Sequence, residues 1–130
     1  MLDLEALGDW LAEQGVAEPV WFGGIPDDTG RARPPDTLHA LVDTGGLGMT
    51  VERAFHRPTV QVLTRAGSAR EARVAAWGVH DAIVDAAIPF VLGGRRVIDT
   101  GLVGGEPASV GKDDRGRTYY SANYRLEIAR

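Results

Sequence analysis

Apolar residues recur along the chain at two periods, and the change of period marks its elements. Leu4, Leu7 and Leu11 fall on one helical face with Trp10 beside them, which predicts a helix over residues 3–14. Asp3 and Glu5 suit its positive end, and Gly15 is its predicted stop. Gly8, inside it, costs about 1 kcal/mol of helix propensity. The firmest helical pattern comes later. Ser68-Ala69-Arg70-Glu71 has the form of a capping box, and Ala72, Ala76, Val79, Ile83 and Ala87 then share one stripe up to the helix-ending Pro89. The alanines on that stripe predict close packing against a sheet.

Elsewhere the period is two. Val20–Phe22, residues 37–43, residues 59–65, Val97–Val103 and Ala108–Lys112 are predicted strands. Pro58 is read as a strand entrance, because proline cannot donate to a ladder. In residues 59–65, Val60 and Val62 take one face while Gln61 and Arg65 take the other. Asp113-Asp114-Arg115-Gly116 reads as a hairpin turn. In the strand that follows, Thr118, Tyr120, Ala122, Tyr124, Leu126 and Ile128 alternate with Tyr119, Ser121, Asn123, Arg125 and Glu127, as expected for a sheet covered on one face. Residues 24–36 are rich in Gly, Asp and Pro and read as a long loop; Thr44 to Gly48 turns. No repeat or linker divides the chain. The expected fold is α+β, with a mixed, largely antiparallel sheet flanked by two helices in one domain over residues 1–130.

A chain of 130 residues should bury roughly two-thirds of its unfolded surface, enough for a core without staples. With no cysteine, disulfides and thiolate metal sites are excluded. The acidic start does not read as a signal peptide, and no apolar run approaches the roughly 18 residues of a membrane span. Net charge is −4, which disfavours binding nucleic acid through its phosphates. The charge is uneven. Residues 1–36 hold eight acids against two arginines, net −6, whereas residues 93–130 hold five acids against six arginines and Lys112, net +2. Such segments can form complementary faces between copies.

Candidate chemistry is sparse. His39, His56 and His80 are the three histidines. His56 and Glu52 could share a helical side, but a metal site needs three or four convergent ligands. His80 and Asp81 are adjacent on the second predicted helix and should point apart. No serine sits in Gly-x-Ser-x-Gly, Ser68 reads as a cap, and the glycine pairs lack the phosphate-loop and dinucleotide patterns. Tyr119, Tyr120 and Tyr124 with Arg117 and Arg125 fit sheet positions better than a stacking platform. Neither catalysis nor a cofactor or metal is expected.

Two segments carry a resemblance. Residues 57–71, Arg-Pro-Thr-Val-Gln-Val-Leu-Thr-Arg-Ala-Gly-Ser-Ala-Arg-Glu, run from an extended segment into a capped helix. Residues 113–128, Asp-Asp-Arg-Gly-Arg-Thr-Tyr-Tyr-Ser-Ala-Asn-Tyr-Arg-Leu-Glu-Ile, form a charged turn and a long strand. In the order helix, strands, helix, strands, these resemble the tail terminator family of long-tailed bacteriophages, some of whose members are called minor capsid proteins. The likeness covers residues 37–130, with the first helix agreeing in position; residues 23–35 match nothing in it. The resemblance implies a structural virion protein, assembled in the host cytoplasm. It implies a ring of six copies at the head-proximal end of the tail tube, which ends tube polymerisation and offers the surface for head–tail joining. The implied partners are further copies of the chain, the tail tube protein and a head–tail connector protein. DNA would pass through the lumen unread, and no membrane is involved.

Candidate contact residues are Asp27, Asp28, Arg31 and Arg33 in the long loop, Arg95 and Arg96 before a strand, and Arg115 and Arg117 at the hairpin tip. Two rival readings stay open at this point. One is another head–tail connector protein. The other is a small α+β enzyme or ligand-binding domain, with Trp21, Trp77 and Tyr124 lining a pocket.

Overall fold

A computed structural model describes residues 2–26, 28, 34–45 and 55–129. Its elements are α1 (Leu4–Glu13), β1 (Val20–Phe22), β2 (Leu38–Asp43), β3 (Phe55–His56), β4 (Thr59–Ala66), α2 (Ala69–Val84), β5 (Phe90–Leu92), β6 (Arg95–Leu102), β7 (Ala108–Lys112) and β8 (Thr118–Ala129). They make the expected α+β fold. One sheet has the strand order β1-β2-β4-β8-β6-β5, with β3 and β7 also paired to β8; β1 and β2 are parallel and every other pairing is antiparallel.

β8 is the spine of this sheet. Ala122, Tyr124, Leu126 and Ile128 are buried on its alternate positions, facing Val60 and Val62 of β4, Val79 and Ile83 of α2, and Leu7, Trp10 and Leu11 of α1 in one core cluster. One edge of β8 takes β3 and β4 in an unbroken register, since Phe55 pairs with Ala129 and Thr59 with Arg125. Pro58 stands directly before β4, at its entrance as expected, and its carbonyl accepts from the Leu126 amide (3.0 Å), which carries the register across to β3. The same observation removes the helical reading of His56, which lies in β3; Glu52 is outside the described residues.

Local chemistry sets both helices. Asp3 caps α1, accepting from the Ala6 amide at 2.9 Å, and the chain turns off it at Gly15 with φ +96°. Gly8 earns its place by proximity: a Cβ there would lie 3.0 Å from the Phe22 ring of β1. Ser68 caps α2 as expected, accepting from the Glu71 amide (3.2 Å). α2 ends at Val84, before Ala87. The Thr100 hydroxyl donates to the Ile83 carbonyl (2.9 Å), which is the acceptor that Ala87 would need to continue the helix. Ile88 also precedes proline, which disfavours the helical region.

The short strand β5 was not evident from sequence. It forms a hairpin with β6 through Gly93 and Gly94, both at positive φ, and Phe90 stacks on Trp10 with centroids 4.3 Å apart. Arg95 and Arg96 consequently lie within β6 rather than before it.

Candidate assembly surfaces

The charged residues of the hairpin and the long loop meet inside the chain. Arg117 is buried, and its guanidinium reaches three carboxylates. Nε donates to Asp113 (2.7 Å), NH1 to Asp28 (3.2 Å) and Asp36 (3.4 Å), and NH2 to the second oxygen of Asp28. The bidentate hold on Asp28 uses the planar fork that arginine presents to a carboxylate. Asp113 also accepts from the amides of Arg115 and Arg117 (both 3.0 Å) and from the Tyr119 hydroxyl (3.2 Å). Desolvation opposes its charge, but the amide and guanidinium of Arg117 and the amide of Arg115 outweigh that and hold its carboxyl at about 2. Asp28 is lowered as well, first by its hydrogen bond to Arg117, and Arg117 is raised in return.

Arg65 of β4 belongs to the same group, although its position predicts an open sheet face. It is 1% exposed and donates to the carbonyls of Pro35 (2.7 Å) and Asp36 (3.1 Å), with Asp28 3.9 Å away. Two buried arginines thus fasten the stretch entering β2 to the β7–β8 turn. Nothing local in the sequence marks Arg65, Asp36 or Asp113 for this, since the partners are distant along the chain.

Of the residues expected to contact other chains, Asp28 and Arg117 are engaged with each other, while Arg95, Arg96 and Arg115 are exposed. Asp27, Arg31 and Arg33 lie outside the described residues.

The other edge of β8 carries an irregular arm. β6 pairs with Tyr124–Ile128 and β7 with Thr118–Ser121, so both lie along one edge and run in one direction. The Val103 amide still donates to the Asn123 carbonyl (3.0 Å), after which Gly104–Pro107 loop out before Ala108 regains the ladder opposite Ser121. Further register shifts fall between Val97 and Asp99 and between Ser109 and Gly111. Every residue of β7 is exposed, and Leu102, Val103 and Val110 add exposed apolar surface.

An open groove of about 870 Å³ lies between the end of α1 and the first half of α2, lined among others by Val16, Glu18, Glu71, Val74, Ala75 and Gly78. None of Trp21, Trp77 and Tyr124 lines it. By the strand register, Trp21 lies beside Ala40 on one face of the sheet and Tyr124 on the other, so the pocket of the enzyme reading is not assembled.

The histidines make structural contacts. His39 is fully buried in β2 opposite Thr64. The Glu18 carboxylate can only accept, so Nε2–H donates to it (3.0 Å) and Nδ1 accepts from the Thr64 hydroxyl (2.7 Å). Burial pushes the His39 pKa down, against the pull of Glu18. His80 meets the Tyr124 hydroxyl at 3.1 Å and Trp77 edge-on. Burial, and then the charge of Asp81, pushes the Tyr124 hydroxyl pKa up. Among the described residues no three His, Asp or Glu side chains form a metal-holding group.

These features describe a scaffold with buried polar ties and exposed apolar edges, and comparison with known proteins agrees. Among solved structures, a chain from the virion of a native gene transfer agent particle aligns with TM-score 0.57 at 20% identity, covering 98% of this chain and 97% of that one. A second solved chain aligns with TM-score 0.54 at 18% identity, covering 94% of this chain and 88% of that one. At such identities the likeness shows the fold. No curated protein matches the sequence. Residues 11–130 match the family described as bacteriophage tail terminator protein, which spans nearly the whole chain. The chain therefore belongs to the bacteriophage tail terminator family and is a structural component of a phage tail.

Proposed function

We propose that six copies of this protein form a ring on the head-proximal end of the tail tube, end tube polymerisation and provide the surface on which the head is joined. The observation that carries this reading is the family match over residues 11–130. A closed head-to-tail ring needs two unlike contact patches on each subunit. The ring would contact the tail tube protein on one side and a connector protein on the other, with DNA passing through its lumen without sequence readout. No catalytic step is assigned.

Electron microscopy of intact particles tests this directly. The expected result is a six-fold ring of this chain between tube and head. Particles lacking the protein should carry tails of uncontrolled length and no head. A single copy per particle, or density elsewhere, would overturn the reading.

A further inference from the structure

We propose that Asp28 is a positioning residue for the Asp113–Arg117 turn: by holding the one buried side chain of that turn, it sets where Arg115 stands when two copies meet. The proposal rests on the ring reading above and concerns one contact within it.

The turn has a firm support on one side only. β7, the strand that enters it, is exposed at all five residues and changes register between Ser109 and Gly111. From Lys112 to Gly116 no residue is buried, whereas Arg117 is 5% exposed. β8 fixes the stem from Thr118 onward, opposite Ala66. The lean of the tip about that stem is left to Arg117.

The hydrogen bonds divide into those that shape the turn and those that place it. The Asp113 side chain accepts from the amides of Arg115 and Arg117 (both 3.0 Å). Its carbonyl accepts from the Gly116 amide (3.1 Å), and its own amide donates to the Arg117 carbonyl (3.0 Å). All four lie within the turn and would keep its shape whichever way it pointed. The Tyr119 hydroxyl adds a bond to Asp113 from the stem itself (3.2 Å).

The guanidinium of Arg117 reaches out to a different part of the chain. It donates twice to Asp28 and once, at 3.4 Å, to Asp36. The Asp36 side chain is 57% exposed against 21% for Asp28, so water competes more for Asp36, and the bidentate Asp28 is the principal hold. Asp28 in turn lies 3.9 Å from the guanidinium of Arg65, which β4 carries and the carbonyls of Pro35 and Asp36 fix. A continuous route thus runs from β4 through Arg65, Asp28, Arg117 and Asp113 to the Arg115 amide. A tip held in this way presents Arg115 without the ordering cost that a swinging tip would meet on contact.

The chain has no cysteine, so spin labels can be placed in chosen pairs. Asp114→Cys with Arg73→Cys, both at exposed positions, reports the tip against α2. Asp9→Cys with Arg73→Cys, also exposed, reports α1 against α2. Both pairs should give one narrow distance in the parent background. Asp28→Asn should broaden the first and leave the second unchanged. An unchanged tip distance, or equal broadening of both pairs, would overturn the proposal. In particles assembled at low salt, Asp28→Asn and Arg115→Ala should each lower the yield of joined heads and tails, and the double variant should do no worse than the poorer single one, because one residue acts through the other. Additive losses, or an undiminished yield for Arg115→Ala, would overturn the positioning role while leaving the ring. Particles with no ring would overturn the functional reading and this role with it.

Discussion

Arg65 offers the most direct check on the buried charge cluster. It is 1% exposed and sends two donors to the carbonyls of Pro35 and Asp36. Hydrogen bonds from a charged group contribute about 1.5–3 kcal/mol each, so Arg65→Met removes about 3–6 kcal/mol gross. Part of this returns. Residues 35 and 36 are exposed, so their carbonyls can regain water, and the methionine side chain keeps some apolar burial. The net loss should be about 2 kcal/mol, read as a lower urea midpoint at unchanged slope. Arg65→Lys keeps the charge but cannot place a planar fork on two carbonyls, and should lose about half as much. If the methionine variant unfolds within about 0.5 kcal/mol of the parent, ordinary for a surface change, the tie is not contributing. If lysine costs as much as methionine, retained charge is not what matters there.

Stability should fall with acid in two stages. The folded pKa of His39 is lowered from 6.5, so its contribution is complete above that value and declines as pH drops below it; Asp28 and Asp113 are lowered from 3.8, Asp113 to about 2, so theirs is complete above 3.8 and lost on approach to 2. Urea midpoints measured from pH 8 to 2 should show both stages, with His39→Gln lacking the first; a flat profile between pH 7 and 5 in the parent would refute the His39 assignment. Gly8→Ala should gain little in the parent, because about 1 kcal/mol of helix propensity is opposed by the Phe22 ring 3.0 Å from the new Cβ, and should recover that gain in a Phe22→Ala background. Additive effects in that double-mutant cycle would remove the close-approach account of Gly8.

What was legible in the sequence is what depends on neighbours along the chain. The alternation of β8 gave the face of its buried residues, Thr118, Ala122, Tyr124, Leu126 and Ile128, because one covered face imposes period two, although Tyr120 on the same face is only half-buried. The cap at Ser68 was equally local, while Asp3, read as part of α1, is its cap. The end of α2 was not legible, since it depends on a hydroxyl at Thr100 reaching a carbonyl at Ile83. Pro58 reads as a boundary because it lacks a donor, and β4 does begin after it; the two-residue β3 in the same register before it was not legible. β5 is three residues between Pro89 and Gly93, too short for any period to declare itself. The arginines are the clearest case. A guanidinium at a hairpin tip looks solvated in sequence, and Asp28 lies 89 positions from the Arg117 that it holds.

That distance divides two residues which the hairpin sequence presents as equivalent. Arg115 and Arg117 flank Gly116 and would serve as one basic tip in an electrostatic ring contact. In the fold Arg115 is exposed, whereas Arg117 is enclosed by Asp28, Asp36 and Asp113. Reversal at the two positions should therefore give different phenotypes. Arg117→Glu places a fourth carboxylate among three, with Arg65 as the neighbouring cation, and should lower the thermal midpoint of the isolated protein before assembly is in question. Arg115→Glu should leave that midpoint unchanged, because an exposed ion pair contributes about 0–1 kcal/mol at most. Its effect should appear in the yield of joined particles, and most at low salt, where screening is weakest. Unchanged yield for Arg115→Glu at low salt would exclude the tip from the contact between copies. An Arg117→Glu protein that unfolds like the parent would show that the three carboxylates do not need their arginine.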